Sequence, residues 1–309
     1  MSRLNSGETS VAGFKFKRLG FDAFDLYAHY FRNATHEDLT YYGSFPLMMY
    51  KRFGYKVIDG YLFVFRYLRR SSGDRIDSVG LPINEKGERL DVETTRKCLE
   101  SFNGQPRGKI IHLHPGLDAR YPNALQSREA TALGSEYIYS NELVAKLDGG
   151  TFRSLRRMVH RFTRNNDFEV VPYEKKLRAD VDQIYENWRQ SAGAKYDMIW
   201  DRTLFTNILD HHGIMDHHLN IVIDKSSGKS IGLFDAVRLS PGLAIAVFQK
   251  LDTNYAHMAQ YCGWHLSQQL SAMGCAFLNV GDDGGRDGLK ALKTSFRPVS
   301  SYTPLFYKF

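Results

Sequence analysis

The sequence predicts an α/β (α+β) chain of two halves, each a mixed, mainly antiparallel sheet flanked by helices. Three observations predict it. Short β-branched and aromatic runs, such as Tyr61–Arg70, Leu219–Asp224, Ser230–Leu239 and Leu243–Leu251, alternate with longer stretches of helical period. Turn residues part the strands, as in Lys225-Ser-Ser-Gly228 and Ser240-Pro-Gly242. The same grammar is written twice along 309 residues, a length that suits two cores of about 150 residues each.

In chain order, residues 1–13 are small and polar and read as a frayed end. Phe21–Asn33 is aromatic-rich and reads as helix. Tyr61–Arg70 is a buried strand, Ser71–Asp77 supplies turn chemistry, and Ser78–Ile83 is the next strand. Val92–Phe102 is a helix that stops at Asn103-Gly104, a C-cap signal. Lys109–His114 is a short strand ended by Pro115-Gly116. After a basic helix come a strand at Phe168–Pro172 and a helix over Ala179–Ala192. The hairpin Leu219–Asp224 with Ser230–Leu239 follows, then a third strand, Leu243–Leu251. A long helix, Tyr255–Met273, ends at Gly274; a strand at Ala276–Val280, a helix at Gly288–Phe296 and an aromatic strand at Thr303–Tyr307 close the chain. Antiparallel hairpin, third strand, helix, strand, helix, strand is the order of an acetyltransferase (GNAT-type) domain, and the first half is a shorter version. The expected division is an N-terminal GNAT-like domain at 1–134, a connecting strand and basic helix at 135–165, and a C-terminal GNAT-like catalytic domain at 166–309.

Composition bounds the function. The chain is 43% apolar with 24% charged residues, which excludes wholesale disorder, and its net charge of +7 favours a phosphate-rich partner. Cys98, Cys262 and Cys275 form no CxxC pair and are odd in number, so no disulfide framework or thiolate zinc site is expected. The start lacks a signal-peptide core, and the longest apolar runs are far short of a membrane span. The expected location is cytoplasmic or peripheral to a membrane, without integral membrane contact.

Between Gly150 and Asn165 the excess charge is concentrated on one helix. Arg153, Arg156, Arg157, His160, Arg161 and Arg164 form one stripe, while Phe152, Leu155, Met158, Val159 and Phe162 form the opposite face. A solvated face would carry mixed signs and i,i+4 Glu–Lys pairs, yet no acid lies between Gly150 and Asn166. Such a helix is anchored by its apolar back and offers guanidinium groups to an anion.

The segment Phe277–Pro298 holds the densest chemistry. A strand delivers Asn279, Gly281, Asp282 and Asp283 into a Gly-rich turn that starts a helix carrying Lys290 and Lys293. Such a corner binds an amine or stabilises an oxyanion; a tight turn with Asp as helix cap fits the spacing equally. It is neither a Walker loop nor an EF-hand loop. Asp210-His211-His212 and Asp216-His217-His218 read as a polar helix–loop–strand connection, and no metal is assigned to them. His112 and His114 share a strand face and read as structural. No GxSxG elbow supports a hydrolase triad. The connection Gln249–His257 holds no glycine, so the bare amides that cradle a CoA pyrophosphate are missing.

Two blocks, Ser135–Phe162 and Leu278–Pro298, resemble the catalytic domain of the phosphatidylglycerol lysyltransferase (aminoacyl-lipid synthase) family. That group is a tandem acetyltransferase-fold one, related to the Fem aminoacyltransferases. The residues carrying the resemblance are Tyr137, Tyr139, Leu147, Gly149, Arg156, Arg157, His160, Arg161 and Phe162, then Asn279, Asp282, Asp283, Gly284, Gly288, Leu289, Lys290, Lys293, Phe296 and Pro298. A strand with Asp235 and Arg238 matches the family's Asp-Leu-Met-Arg strand loosely. The resemblance implies transfer of an aminoacyl group from aminoacyl-tRNA to an amine or hydroxyl acceptor, without a cofactor. The tRNA contacts would be Arg153, Arg156, Arg157, His160, Arg161 and Arg164. Lys293 or Arg238 would stabilise the oxyanion, and Asp282 or Asp283 would orient the amine or accept a proton, with Asp235 beside them. Tyr137, Tyr139, Asn279 and Lys290 would bind substrate. Lipid-modifying members carry an integral-membrane portion, so a small molecule or a peptide stands beside the lipid headgroup as acceptor. An acyl-CoA-dependent N-acyltransferase and a non-catalytic RNA-binding protein of the same fold are the alternatives.

Overall fold

A computed structural model describes residues 7–49, 52–69, 71, 73–116, 128–130, 134–193 and 201–309, with backbone alone at 128–130 and 192–193. The chain divides into two compact units. The first comprises Met1–Glu136, Gly281–Gly285 and Ser301–Phe309; the second comprises Tyr137–Val280 and Arg286–Ser300.

The first unit begins with β1 (Glu8–Val11) and β2 (Phe14–Arg18), followed by the short helices α1 (Phe24–Tyr30) and α2 (Phe45–Met48). Then come β3 (Phe53–Ile58), β4 (Tyr61–Leu68), β5 (Arg75–Val79), β6 (Ile83–Asn84), α3 (Val92–Asn103), β7 (Lys109–Leu113) and β8 (Arg128–Ala130). The second unit contains β9 (Glu136–Ser140), α4 (Asn141–Lys146), α5 (Arg153–Asn165), β10 (Phe168–Pro172), α6 (Arg178–Gly193) and α7 (Arg202–Asp210). It continues through β11 (Asp216–His217), β12 (Asn220–Asp224), β13 (Lys229–Ser240), β14 (Leu243–Leu251), α8 (Met258–Ala272) and α9 (Asp287–Ser295); β15 (Phe277–Asp282) and β16 (Ser300–Tyr302) pair in its sheet, though their last two residues fall with the first unit. The last strand, β17 (Leu305–Lys308), belongs to the first unit's sheet.

Both sheets share one plan. In the first, β3, β4 and β5 run antiparallel and β7 joins β5 in parallel after α3. In the second, β12, β13 and β14 run antiparallel and β15 joins β14 in parallel after α8. A parallel neighbour needs a crossover helix, and α3 and α8 are those helices. The full orders are β1-β2-β3-β4-β5-β7-β17-β8 and β10-β12-β13-β14-β15-β9-β16, with β6 on β4 and β11 on β13. These are two mixed, mainly antiparallel GNAT-like sheets flanked by helices, as the element order predicts.

The expected domain boundaries shift. Segment 135–165 is no connector: β9 lies inside the second sheet, and α5 supplies Leu155, Val159 and Phe162 to that unit's core. Residues 301–309 fall with the first unit, because β17 pairs with β7 and β8. Several strands go beyond the sequence reading. Glu8–Val11 buries alternate residues instead of fraying, and Phe14–Arg18 and Phe53–Ile58 are strands. Arg75–Asp77, expected as turn, is already part of β5 and pairs with Leu68, Tyr67 and Arg66 of β4. Helix α7, also unforeseen, is short but buries Leu204, Phe205, Ile208 and Leu209.

Local signals set the ends of α3 where the sequence places them. Asp91 caps the helix, its carboxylate accepting from the Thr94 amide at 2.8 Å, and Gly104 ends it at φ 67°.

Candidate functional site

The basic helix is held by its apolar side. Leu155, Val159 and Phe162 are each 1% exposed and pack with Tyr137, Tyr139, Val144, Leu147, Tyr261 and Leu266. Leu155, Val159 and Phe162 lie at i, i+4 and i+7, so one stripe of a 13-residue helix enters the core. The entry to the helix is tied by Arg156, whose guanidinium donates to the carbonyls of Leu147 and, at 3.3 Å, Gly149. Leu147 itself is left-handed at φ 53°. At the other end, the Asn166 side chain donates to Phe162 O at 2.8 Å.

On the outer face, Arg153, Arg157, His160, Arg161 and Arg164 are exposed. Among the described residues none of them has a carboxylate within ion-pair distance, whereas α3 carries Arg96 between Glu93 and Glu100. The helix starts with no acidic residue in its first turn and no side-chain cap. Ordinary helix design would place an acid there. A ridge of unneutralised guanidinium groups beside uncapped amides attracts phosphate oxygens. The structure therefore divides the predicted stripe: Arg156 is a tether, and the other five face solvent.

The tyrosines predicted as substrate contacts lie in the core beneath the helix. Tyr137 and Tyr139 are each 3% exposed. The Tyr139 hydroxyl donates to Lys293 O at 3.0 Å, and its ring stacks on Phe296 with centroids 4.9 Å apart. Burial pushes the Tyr139 phenol far above its ordinary range. Both faces of β9 are covered, since Ile138 between the two tyrosines is buried as well, and the tyrosines join the core that α5 also enters.

The predicted catalytic residues separate into distinct groups. Asp235, fully buried on β13, accepts from His217 Nδ1 at 2.9 Å, and the His217 side chain is 1% exposed. Asp235 Oδ1 and His217 Nε2 have no hydrogen-bond partner among the described residues. Arg238, three residues along the same strand, donates from Nε to Asp216 Oδ2 at 2.6 Å. Register creates both pairs, since β11 sets Asp216 opposite Arg238 and His217 opposite Val237. Lys293 on α9 donates from Nζ to Val280 O at 2.6 Å, which fixes its ammonium against the end of β15. Lys290 is exposed and Asn279 is fully buried.

Asp282 and Asp283 form a turn in the first unit. Asp282 Oδ1 accepts from Gly284 N at 2.7 Å and Asp283 Oδ1 from Gly285 N at 2.9 Å. Asp283 is 5% exposed and lies against Gly134, where an added Cβ would come within 2.1 Å of the carboxylate. The turn geometry, one of the two readings of this segment, is thus realised by backbone amides.

His217 is a chemical residue that the sequence does not announce. The Asp216-His217-His218 run reads there as a connection, and only the pairing of β11 with β13 brings Asp216 to Arg238 and His217 to Asp235. Among the described residues no group of three or more His, Cys, Asp or Glu side chains is arranged to hold a metal ion. No described helix is long and apolar enough to cross a membrane.

Residues 116–306, more than half of the chain, match the family described as phosphatidylglycerol lysyltransferase, C-terminal, and the chain belongs to that family. The family is one of transferases, as its description states. Among solved structures, a conserved protein of unknown function from Bacteroides thetaiotaomicron superposes with a TM-score of 0.77 at 17% identity, covering 95% of this chain and 98% of that one. L-PGS from Bacillus licheniformis superposes at 0.62 and 16% identity, covering 93% of this chain and 90% of that one. FemX superposes at 0.56 and 8% identity, covering 83% and 87%. These likenesses concern the fold. No curated protein matches the chain significantly.

Proposed function

We propose that this protein is an aminoacyl-tRNA-dependent aminoacyltransferase that moves an amino acid to an amine or hydroxyl acceptor. The observation that carries the reading is the outer face of α5, where Arg153, Arg157, His160, Arg161 and Arg164 stand exposed without a carboxylate partner among the described residues. Membership of a lysyltransferase family supports it, as does the likeness in fold to L-PGS and FemX. The connection between β14 and α8, Asp252–His257, contains no glycine, and His257 at its end sits at φ 68°. That loop is poorly suited to a CoA pyrophosphate, which argues for a donor already activated as an ester.

In this reading the ridge grips the acceptor stem through its phosphates, a salt-sensitive contact blind to sequence. The acceptor's nucleophile attacks the ester carbonyl, a tetrahedral oxyanion forms, and the ester C–O bond breaks. The tRNA ribose oxygen leaves with the proton given up by the nucleophile. Lys293 or Arg238, the latter held by Asp216, is the cation assigned to the oxyanion. Asp282 or Asp283, at the turn between β15 and α9, is the acid assigned to orient the nucleophile or accept its proton, with Asp235 held by His217.

The test is incubation with radiolabelled aminoacyl-tRNAs and a cell extract as the source of acceptor, with and without RNase. Label should move to product only where tRNA is intact. Equal transfer after RNase treatment would refute the reading.

A further inference from the structure

A cavity of about 450 Å³ opens in the second unit between the C-terminal part of α6, the start of β13 and the loop that follows β14. Its wall carries the Trp188 ring and the neutral polar side chains of Asn187, Ser191, Thr253 and Asn254. Among the described residues that line it, Asp252 alone is ionisable. Asp252 Oδ1 accepts from Asn254 N at 2.9 Å, and the carboxylate has no cation within ion-pair distance among the described residues. Lys250, two residues before Asp252 in the chain, is spent elsewhere. Lys250 is 6% exposed, is ion-paired with Asp201, and places Nζ 3.3 Å from the centroid of the Trp188 ring. The Tyr185 hydroxyl donates to the second oxygen of Asp201 at 2.8 Å, completing a buried cluster that fixes the indole.

A concave site of this volume accommodates a small metabolite. An unneutralised carboxylate in its wall, with no arginine or lysine among the described residues that line it, repels phosphate and attracts an ammonium group. The hydroxyls and amides around it complement further hydrogen-bonding groups, and the indole offers a face to a carbon skeleton.

We propose that this cavity binds a small polar molecule bearing a primary amine, with Asp252 taking the ammonium group as a handle. The role we give that molecule, acceptor of the transferred amino acid, rests on the aminoacyltransferase reading; the binding itself does not. An anionic lipid headgroup is the wrong occupant for this wall.

The test is isothermal titration of the whole protein, without tRNA, against putrescine, ethanolamine and glucosamine, with N-acetylglucosamine and glycerol 3-phosphate as uncharged and anionic comparisons. At least one amine should bind saturably and the two comparisons should not. Asp252→Asn retains an oxygen for the Asn254 amide, so the loop should persist, yet affinity should fall about tenfold or more. Ser191→Trp, from an exposed position on the rim, should block binding while thermal unfolding is unchanged. The proposal fails if no amine binds, if Asp252→Asn binds as tightly as the unaltered protein, or if glycerol 3-phosphate binds best. Amine binding without RNase-sensitive transfer would overturn the transfer reading alone. Transfer without amine binding would overturn the cavity alone.

Discussion

His217 donates its Nδ1 hydrogen to Asp235 Oδ2 at 2.9 Å, with both side chains buried and one polar atom of each unpartnered among the described residues. A buried carboxylate with one strong partner depends on that partner. His217→Ala leaves the buried carboxyl without that partner and is expected to cost about 3–5 kcal/mol. Asp235→Asn keeps an acceptor for the imidazole and is expected to cost less, about 1–3 kcal/mol. Urea denaturation at constant m-value measures both. Equal midpoints for His217→Ala and the unaltered protein would show that the pair does not hold this part of the sheet.

The basic ridge should behave as an electrostatic surface. Arg157→Glu with Arg161→Glu should leave the thermal midpoint within about 1–2 °C, because both side chains are exposed and have no carboxylate partner among the described residues. The same variant should weaken tRNA binding and lower the slope of log K against log salt by about 2, roughly one for each phosphate no longer neutralised. Filter binding at several salt concentrations reads the slope; an unchanged slope would remove α5 from the tRNA interface.

Close packing under the ridge gives a third expectation. A Cβ on Gly263 of α8 would lie 2.6 Å from the Phe296 ring, which in turn stacks on Tyr139. Gly263→Ala gains about 1 kcal/mol of helix propensity but overpacks the interface by about 1–3 kcal/mol. The net effect should be destabilising alone, and stabilising relative to the single variant when Phe296→Leu makes room. Additive energies in that double-mutant cycle would contradict the close approach.

Stability should fall on mild acidification. Burial lowers the folded pKa values of His212, His218 and His265 below their ordinary 6.5. The unfolded chain therefore binds more protons than the folded one as pH drops through 6.5, and stability rises with pH across that window. It is fully present above 6.5 and is lost progressively down to the lowered folded values. His265 shows the effect most simply, since desolvation is its only cause and its ring packs on Tyr261 and Phe234. His265→Phe should flatten the unfolding free energy between pH 7.5 and 5; an identical slope in that variant would refute the assignment.

Much of the fold is legible in the sequence because its signals are local. The turn at Lys225–Gly228, the cap at Asn103-Gly104 and the helical period of Gly150–Asn165 depend on residues close in sequence. Strands β1, β2 and β3 are not legible, since each is short and β3 acquires its pairing with β2 from a neighbour tens of residues away in the chain. Helix α7 is hidden for a similar reason: its apolar stripe spans only Leu204–Leu209.

The candidate site divides in the same way. The cationic stripe can be read from period and sign, but the withdrawal of Arg156 to tether Leu147 and Gly149 depends on a loop folded back against the helix. Tyr137 and Tyr139 carry the resemblance to the family, yet they serve the core, because a motif does not say which face of its strand is covered. Sequence alone determined two GNAT-like halves, a one-sided basic helix and a glycine-free connection after the third strand of the second half. These follow from side-chain period, charge and backbone freedom, which are properties of neighbouring residues. Only the tertiary structure decided that the basic helix belongs to the second unit, that Asp216 faces Arg238, and that His217 meets Asp235. Pairing register is set by burial across whole sheets, and no stretch of sequence contains it.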